Sequence, residues 1–344
     1  MPQNTMRSTS KLLLPCTALL LAVVAVLGLA EATRWIGHPF PGFLILGNRV
    51  VASAGLEGWP ATRDGSLYQH EIAALEGEPA SDATALVARV RALPVGTPLT
   101  WSFRGARGRF DRTIETRRFG ARDFALLFGV YALNGVALGA IALFLCRRRE
   151  KYPAVDAALP FLIVGACWGL SAMDLYGPWR LFRIHAFCEA LLFATVLHLA
   201  LGFPRPAQVL RRHPGLLPAA YAAGLGIALP YQLGLHEPAA YVLCHLLATS
   251  ALGLSLAALV GFQVIRYWRA KSPEVRVPIR TLAIGTALAV GAPIFLTAAE
   301  LLTGGSSPQN AVGFTAFLLP IALARALIHT SAALPAKARL ENGR

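Results

Sequence analysis

The chain has 344 residues, of which 55% are hydrophobic and 15% charged, with a formal net charge of +14. That balance points to a membrane protein. The basic excess is not a nucleic-acid footprint: between Glu31 and Asp123 twelve Arg face ten acidic residues, a net of +2, and the other +12 lies mostly in short connectors between apolar runs.

The first apolar run, Leu12–Ala30, has Arg7 and Lys11 ahead of it. Ala30-Glu31-Ala32 passes for a signal-peptidase site, but the run exceeds the roughly 7–15 residues of a cleavable core. A retained anchor over residues 1–30 is the expectation. The Leu14-Pro15-Cys16 triplet is a poor lipobox, and Cys16 reads as a buried membrane cysteine.

Residues 31–122 are long enough for one small soluble domain. Short strands are expected at Phe43–Ile45 and Arg49–Ala52 around a Gly47-Asn48 turn, and another at Glu71–Leu75. Ser81 is placed to cap a helix whose Leu86, Val87, Val90 and Leu93 share one face. Leu99–Arg104 and Phe110–Thr116, joined by Gly105–Gly108, read as a hairpin. This order, with the turn Glu76-Gly77-Glu78-Pro79 ahead of the helix, resembles a PDZ domain over about Arg49–Phe119. The resemblance implies peptide binding by strand addition beside a helix. Gly65, Ser66, Leu67 and Tyr68 are the nearest match to the family's carboxylate-binding loop; the alternative is a small α+β spacer with no peptide site.

Seven further apolar runs follow: Phe124–Cys146, Ala154–Met173, Leu181–Phe203, Leu216–Leu235, Ala239–Ile265, Pro278–Leu302 and Ala311–Ile328. Each is close to the ~20 residues that cross a bilayer. The connectors alternate in charge. Arg147–Arg149 with Lys151, then Arg205, Arg211 and Arg212, then Arg266–Arg280 are basic, whereas His236–Pro238 and Thr303–Asn310 carry no Lys or Arg. By the positive-inside rule both termini face the cytoplasm and residues 31–122 are exported. The expected fold class is thus an α-helical integral membrane protein of about eight transmembrane helices with a small α+β PDZ-like extracytoplasmic domain. It divides into an anchor (1–30), that domain (31–122), a seven-helix bundle (123–330) and a short cytoplasmic tail (331–344).

Three stretches extend the resemblance: FGARDFALLFGVYALNG after the PDZ-like segment, HLALGFPRP at His198–Pro206 and FLLPIALARALI at Phe317–Ile328. In this order they are similar to the inner-membrane sensor region of ComP-like sensor histidine kinases and related bacterial signalling proteins. The resemblance implies signal transduction without naming a catalytic residue. The sixteen residues after Ile328 are too few for a kinase, cyclase or phosphatase, so output is expected through such a cytoplasmic partner, with a peptide or envelope protein as ligand and the lipid bilayer as surroundings.

Ionisable groups at membrane depth are functional candidates by default. His185 and Glu189 lie four apart and share a helix face; His245 lies at similar depth, and Glu300 near the outer end of the next span. One reading gathers them into a ligand or proton site. The other has them pair with each other or with Arg183 and fix helix packing. The five cysteines all fall in apolar runs without CxxC or Cys/His ligand spacing, so neither a disulfide nor a metal site is expected. His236-Glu237-Pro238 lacks the second His of HExxH, Gly169-Leu170-Ser171-Ala172 has no evident His partner, and there is no nucleotide-binding Gly loop. No cofactor is expected and enzyme readings are disfavoured. A small-solute carrier or channel component, or an envelope scaffold, stands as the alternative to a sensor.

Overall fold

The computed structural model describes residues 3–56, 58–60, 67–105, 108–149, 154–291 and 313–341. It is mostly helical, with a small sheet region between the first two long helices. The long helices are α1 (Gln3–Thr33), α3 (Ala121–Arg147), α4 (Val155–Ser171), α5 (Phe182–Gly202), α7 (Leu216–Leu233) and α8 (Pro238–Arg269). Between the first pair sits the short α2 (Ala83–Arg91), and α6 (Gln208–Arg212) is one turn on the α5–α7 connector. Then come α9 (Pro273–Thr286), α10 (Gly313–Ala316) and α11 (Leu318–Glu341). Among the described residues six helices are long and apolar enough to cross a membrane.

The expected seventh and eighth spans differ in detail. The helix expected from Pro278 begins at Pro273, where Ser272-Pro273-Glu274 supplies a proline pre-set for the first turn and an early acid. It passes at Ala287–Gly291 into a π-helical turn, and the rest of that run lies outside the described residues. The last helix runs on past Ile328 to Glu341, so much of the expected tail is helical, and its apolar part, Leu318–Thr330, is short.

Glycine sets how closely helices approach. Gly135 of α3 and Gly169 of α4 face each other: a Cβ on Gly169 would stand 3.2 Å from the Gly135 backbone, and one on Gly135 2.6 Å from Leu170. Gly285 of α9 fits against Ala322 of α11 in the same way. Lipid tails are as apolar as leucine, so close backbone packing rather than hydrophobic burial holds such pairs together.

In the sheet region, β2 (Glu71–Leu75), β3 (Glu78–Pro79), β4 (Pro98–Gly105) and β5 (Gly108–Glu115) form one antiparallel sheet in the order β3-β2-β4-β5. The expected hairpin is β4–β5, paired from Pro98↔Glu115 to Gly105↔Gly108. A separate pair, β1 (Pro39–Phe40) with β6 (Arg117–Arg118), joins the domain's entry to its exit. The segments expected as strands at Phe43–Ile45 and Arg49–Ala52 pair through the isolated bridges Ile45↔Val51 and Val50↔Glu71, with the Ala52 N–H donating to Leu44 and the Val51 N–H to His70; Arg49 closes the turn between them at a φ of 65°. Phe43, Ile45, Leu75, Leu86, Val90, Trp101 and Phe103 fill the core between sheet and helix.

The cap of α2 is Asp82, not Ser81: its carboxylate accepts from the Ala85 N–H at 2.8 Å, while Ser81 Oγ donates to Asp82. That N–H holds the Asp82 carboxyl below the usual carboxylate range. The capping contribution is therefore present above about pH 4 and fades as pH falls through the lowered value. Asp82→Ala should destabilise the domain by about 1 kcal/mol, read as earlier loss of amide protection over Ala83–Arg91 with the helical bundle unaffected.

Sheet region and bundle meet over a buried junction. Asn48 Nδ2 donates to the Leu235 carbonyl at 3.0 Å, beyond the end of α7. Trp59 Nε1 donates to Asp123 at 3.2 Å, in the first turn of α3. Trp179, on the α4–α5 connector and at a φ of 65°, donates to the Ile45 carbonyl at 3.3 Å and packs against the sheet core. A column of rings, Phe40, Trp59, Phe119, Phe128 and Tyr176, runs from β1 into the bundle.

Candidate functional site

α5 and α8 lie against each other and carry three buried ionisable groups, His185, Glu189 and His245. One turn separates His185 from Glu189, so both point to the same side of α5. Glu189 is buried, and its Oε2 accepts from the Tyr231 hydroxyl at 2.6 Å and from His245 Nδ1 at 3.2 Å; Oε1 stands 3.1 Å from the same nitrogen. A carboxylate removed from water needs such partners, and here a phenol from α7 and an imidazole from α8 supply them. His245 is held in plane by Tyr241, one turn earlier, with rings 5.7 Å apart and 7° from parallel.

His185 makes different contacts. Its Nδ1 stands 3.1 Å from the Trp168 carbonyl, which can only accept, so this nitrogen carries the proton. Ser171 Oγ lies 3.2 Å from the same nitrogen, and the imidazole stacks on the Trp168 indole at 25°. His185, Glu189 and His245 thus converge on one wall, but only the last two are paired. Arg183 takes no part: it donates to the Gln232 carbonyl. Asp174 is buried and accepts from the Leu181 N–H at 2.6 Å, a role in the α4–α5 connector. His198 pairs with Tyr221 elsewhere. Glu300 lies outside the described residues.

His185, Glu189 and His245 border a cavity of about 370 Å³. Its walls come from α3, α4, α5 and α8, from Val290, Ala316 and Leu319, and from Leu46, Ala52–Ala54 and Gln69 of the sheet region. Tyr131, Asn134 and Tyr176 add polar groups; the Tyr131 and Tyr176 hydroxyls are 3.0 Å apart. Most of the remaining lining is aliphatic. Among the described residues no three His, Cys, Asp or Glu side chains group closely enough to hold a metal ion.

The expected peptide loop fares differently. Leu67 sits in a turn with its side chain buried against the sheet core, and Tyr68 packs half-buried beside it. Gly65 and Ser66 lie outside the described residues.

Spacing within α5 exposed His185 and Glu189, whereas the partnership with His245 depends on which helices touch, which spacing in one sequence does not reveal. Tyr231, the closest partner of Glu189, carried no signal, since a tyrosine near a span end ordinarily reads as an interface anchor. Comparison with protein-family models, curated proteins and solved structures found no match.

Proposed function

We propose that the chain is a non-catalytic membrane receptor. In this reading it crosses the bilayer eight times with both ends in the cytoplasm. A PDZ-like domain sits outside, and ligand occupancy is passed to a separate cytoplasmic partner, a kinase, cyclase or phosphatase. The observation that carries it is the cavity whose wall is shared by the sheet region and the bundle. A ligand shifts an equilibrium only by its difference in affinity for two arrangements. A molecule touching Gln69 and Ala52 on one side and Glu189 and Leu192 on the other meets that condition, because its contacts depend on how the two parts sit together.

Breaking the junction tests the relay. In nanodiscs, Asn48→Ala in the full chain should raise amide exchange at the distal ends of α5 and α8, Leu199–Gly202 and Val264–Arg269, well away from the substitution. Exchange that rises only beside Asn48 and Leu235 would end the receptor reading.

The buried Glu189–His245 pair favours a second reading, a proton-coupled small-solute carrier. Proteoliposomes with an internal pH dye would then show proton flux that Glu189→Gln and His185→Ala remove. The receptor reading expects no flux above protein-free vesicles.

A further inference from the structure

The order of residues along each helix gives the cavity a direction. On α5 the lining runs His185, Glu189, then Leu192, Val196; on α8 it runs Tyr241, His245, Thr249, then Leu252, Leu256. On α3, which runs the same way, Tyr131 and Asn134 precede Leu138. On α4, which runs oppositely, Phe161 and Gly165 precede Trp168, and Tyr176 follows beyond its end. All four place polar groups at the end next to Ser53 and Gln69 of the sheet region and leave the far end apolar. A peptide or sugar would leave that far end unmatched, while a simple hydrocarbon would strand the polar one.

The polar end also constrains charge. Glu189 already accepts from two donors, so no bare carboxylate seeks a cation. An anionic head would sit against that same carboxylate. Two polar atoms of lining side chains are buried without a hydrogen-bond partner among the described residues: the Trp168 indole N–H, a donor, and Gln69 Oε1, an acceptor. A hydroxyl both accepts and donates, so a hydroxyl-bearing head offers a partner to each kind of group. A volume of about 370 Å³ is at the small end for a ligand cavity, which suits one chain rather than two.

We propose that the cavity binds a single-chain lipid with an uncharged, hydroxyl-bearing head, the head beside Gln69 and Trp168 and the chain pointing away from the sheet region. This names the ligand class for the receptor reading above and rests on it.

The probe is a monoacylglycerol with a diazirine at the chain end, added to the full-length protein in phosphatidylcholine nanodiscs and crosslinked by light. Adducts should map to Leu192, Val196, Leu252 or Leu256. Unlabelled monooleoylglycerol should compete, while oleate and a trimethylammonium amphiphile of the same chain length should not. Trp168→Phe keeps the stack on His185 but removes the donor, and should weaken competition about five-fold. Leu192→Trp, which fills the aliphatic end, should abolish the inner adducts.

Adducts spread equally over the exposed Leu225, Leu229 and Leu254 would overturn the proposal. So would competition by the charged amphiphiles that matches or exceeds that of the neutral one. Inner adducts combined with no distal exchange in Asn48→Ala would remove the receptor reading and leave the lipid site. Distal exchange without inner adducts would do the reverse.

Discussion

His245→Ala should be among the most damaging single substitutions in the bundle, lowering stability by about 3–5 kcal/mol. The cause is what remains behind: the Glu189 carboxylate, buried and, among the described residues, accepting from Tyr231 alone. Glu189→Gln should be much milder, about 1 kcal/mol, because it discards the charge along with the pairing and keeps an amide oxygen for Tyr231. The double variant is the informative one. Without a carboxylate to compensate, removing His245 should cost little more than a hydrogen bond, so the double variant should be more stable than His245→Ala alone. Unfolding in mixed micelles by denaturant titration reads all three. Additive losses would mean that the 3.1 Å contact does not couple the two groups energetically.

Gly135→Val is expected to cost about 3 kcal/mol, the upper end for overpacking, because the obstacle is partly main chain. A Cβ there would stand 2.6 Å from Leu170 Cγ and 2.9 Å from the Leu170 backbone nitrogen, and main chain cannot change rotamer. Even Gly135→Ala should be destabilising, although alanine is the better helix former by about 1 kcal/mol. Gly261→Ala is the control: nothing lies within 4 Å of its missing Cβ, so the same exchange should be neutral or stabilising by up to about 1 kcal/mol. Thermal unfolding of the three variants in one detergent decides it. If Gly135→Ala behaves like Gly261→Ala, the α3–α4 approach is looser than the Gly135–Gly169 contact requires. Gly169 also lines the cavity, so a wedge at this crossing should impair lipid capture as well as stability.

Local chemistry was readable where one short stretch decides the outcome. Glu71–Leu75 alternates and is bounded by turn residues, and Gly105 to Gly108 closes a hairpin whatever surrounds it. Long apolar runs announced the membrane helices for the same reason. What depended on distant contacts was not readable. Arg49–Ala52 has the composition of a strand, but its backbone bonds are divided between Leu44–Leu46 on one side and Gln69–Ile72 on the other, giving isolated bridges rather than one ladder. Leu67 lies in a turn, yet its side chain is buried in the core, which loop composition does not announce. Ser81 and Asp82 both cap well, and the choice between them is made by backbone geometry at one position. At the site, the i, i+4 spacing of His185 and Glu189 was enough to flag them, but not to foresee that one binds a backbone carbonyl and the other a histidine from α8.

The indole of Trp179 comes from the connector between two membrane helices, yet it covers part of the β-rich unit's interior. That unit therefore borrows a piece of its own surface from a segment more than fifty residues downstream of its last strand. Cut out and produced alone, it would carry an apolar scar where the ring belongs, and its Ile45 carbonyl would turn to water or to a neighbouring molecule. Self-association of such a fragment would report the missing lid rather than any native habit of the protein.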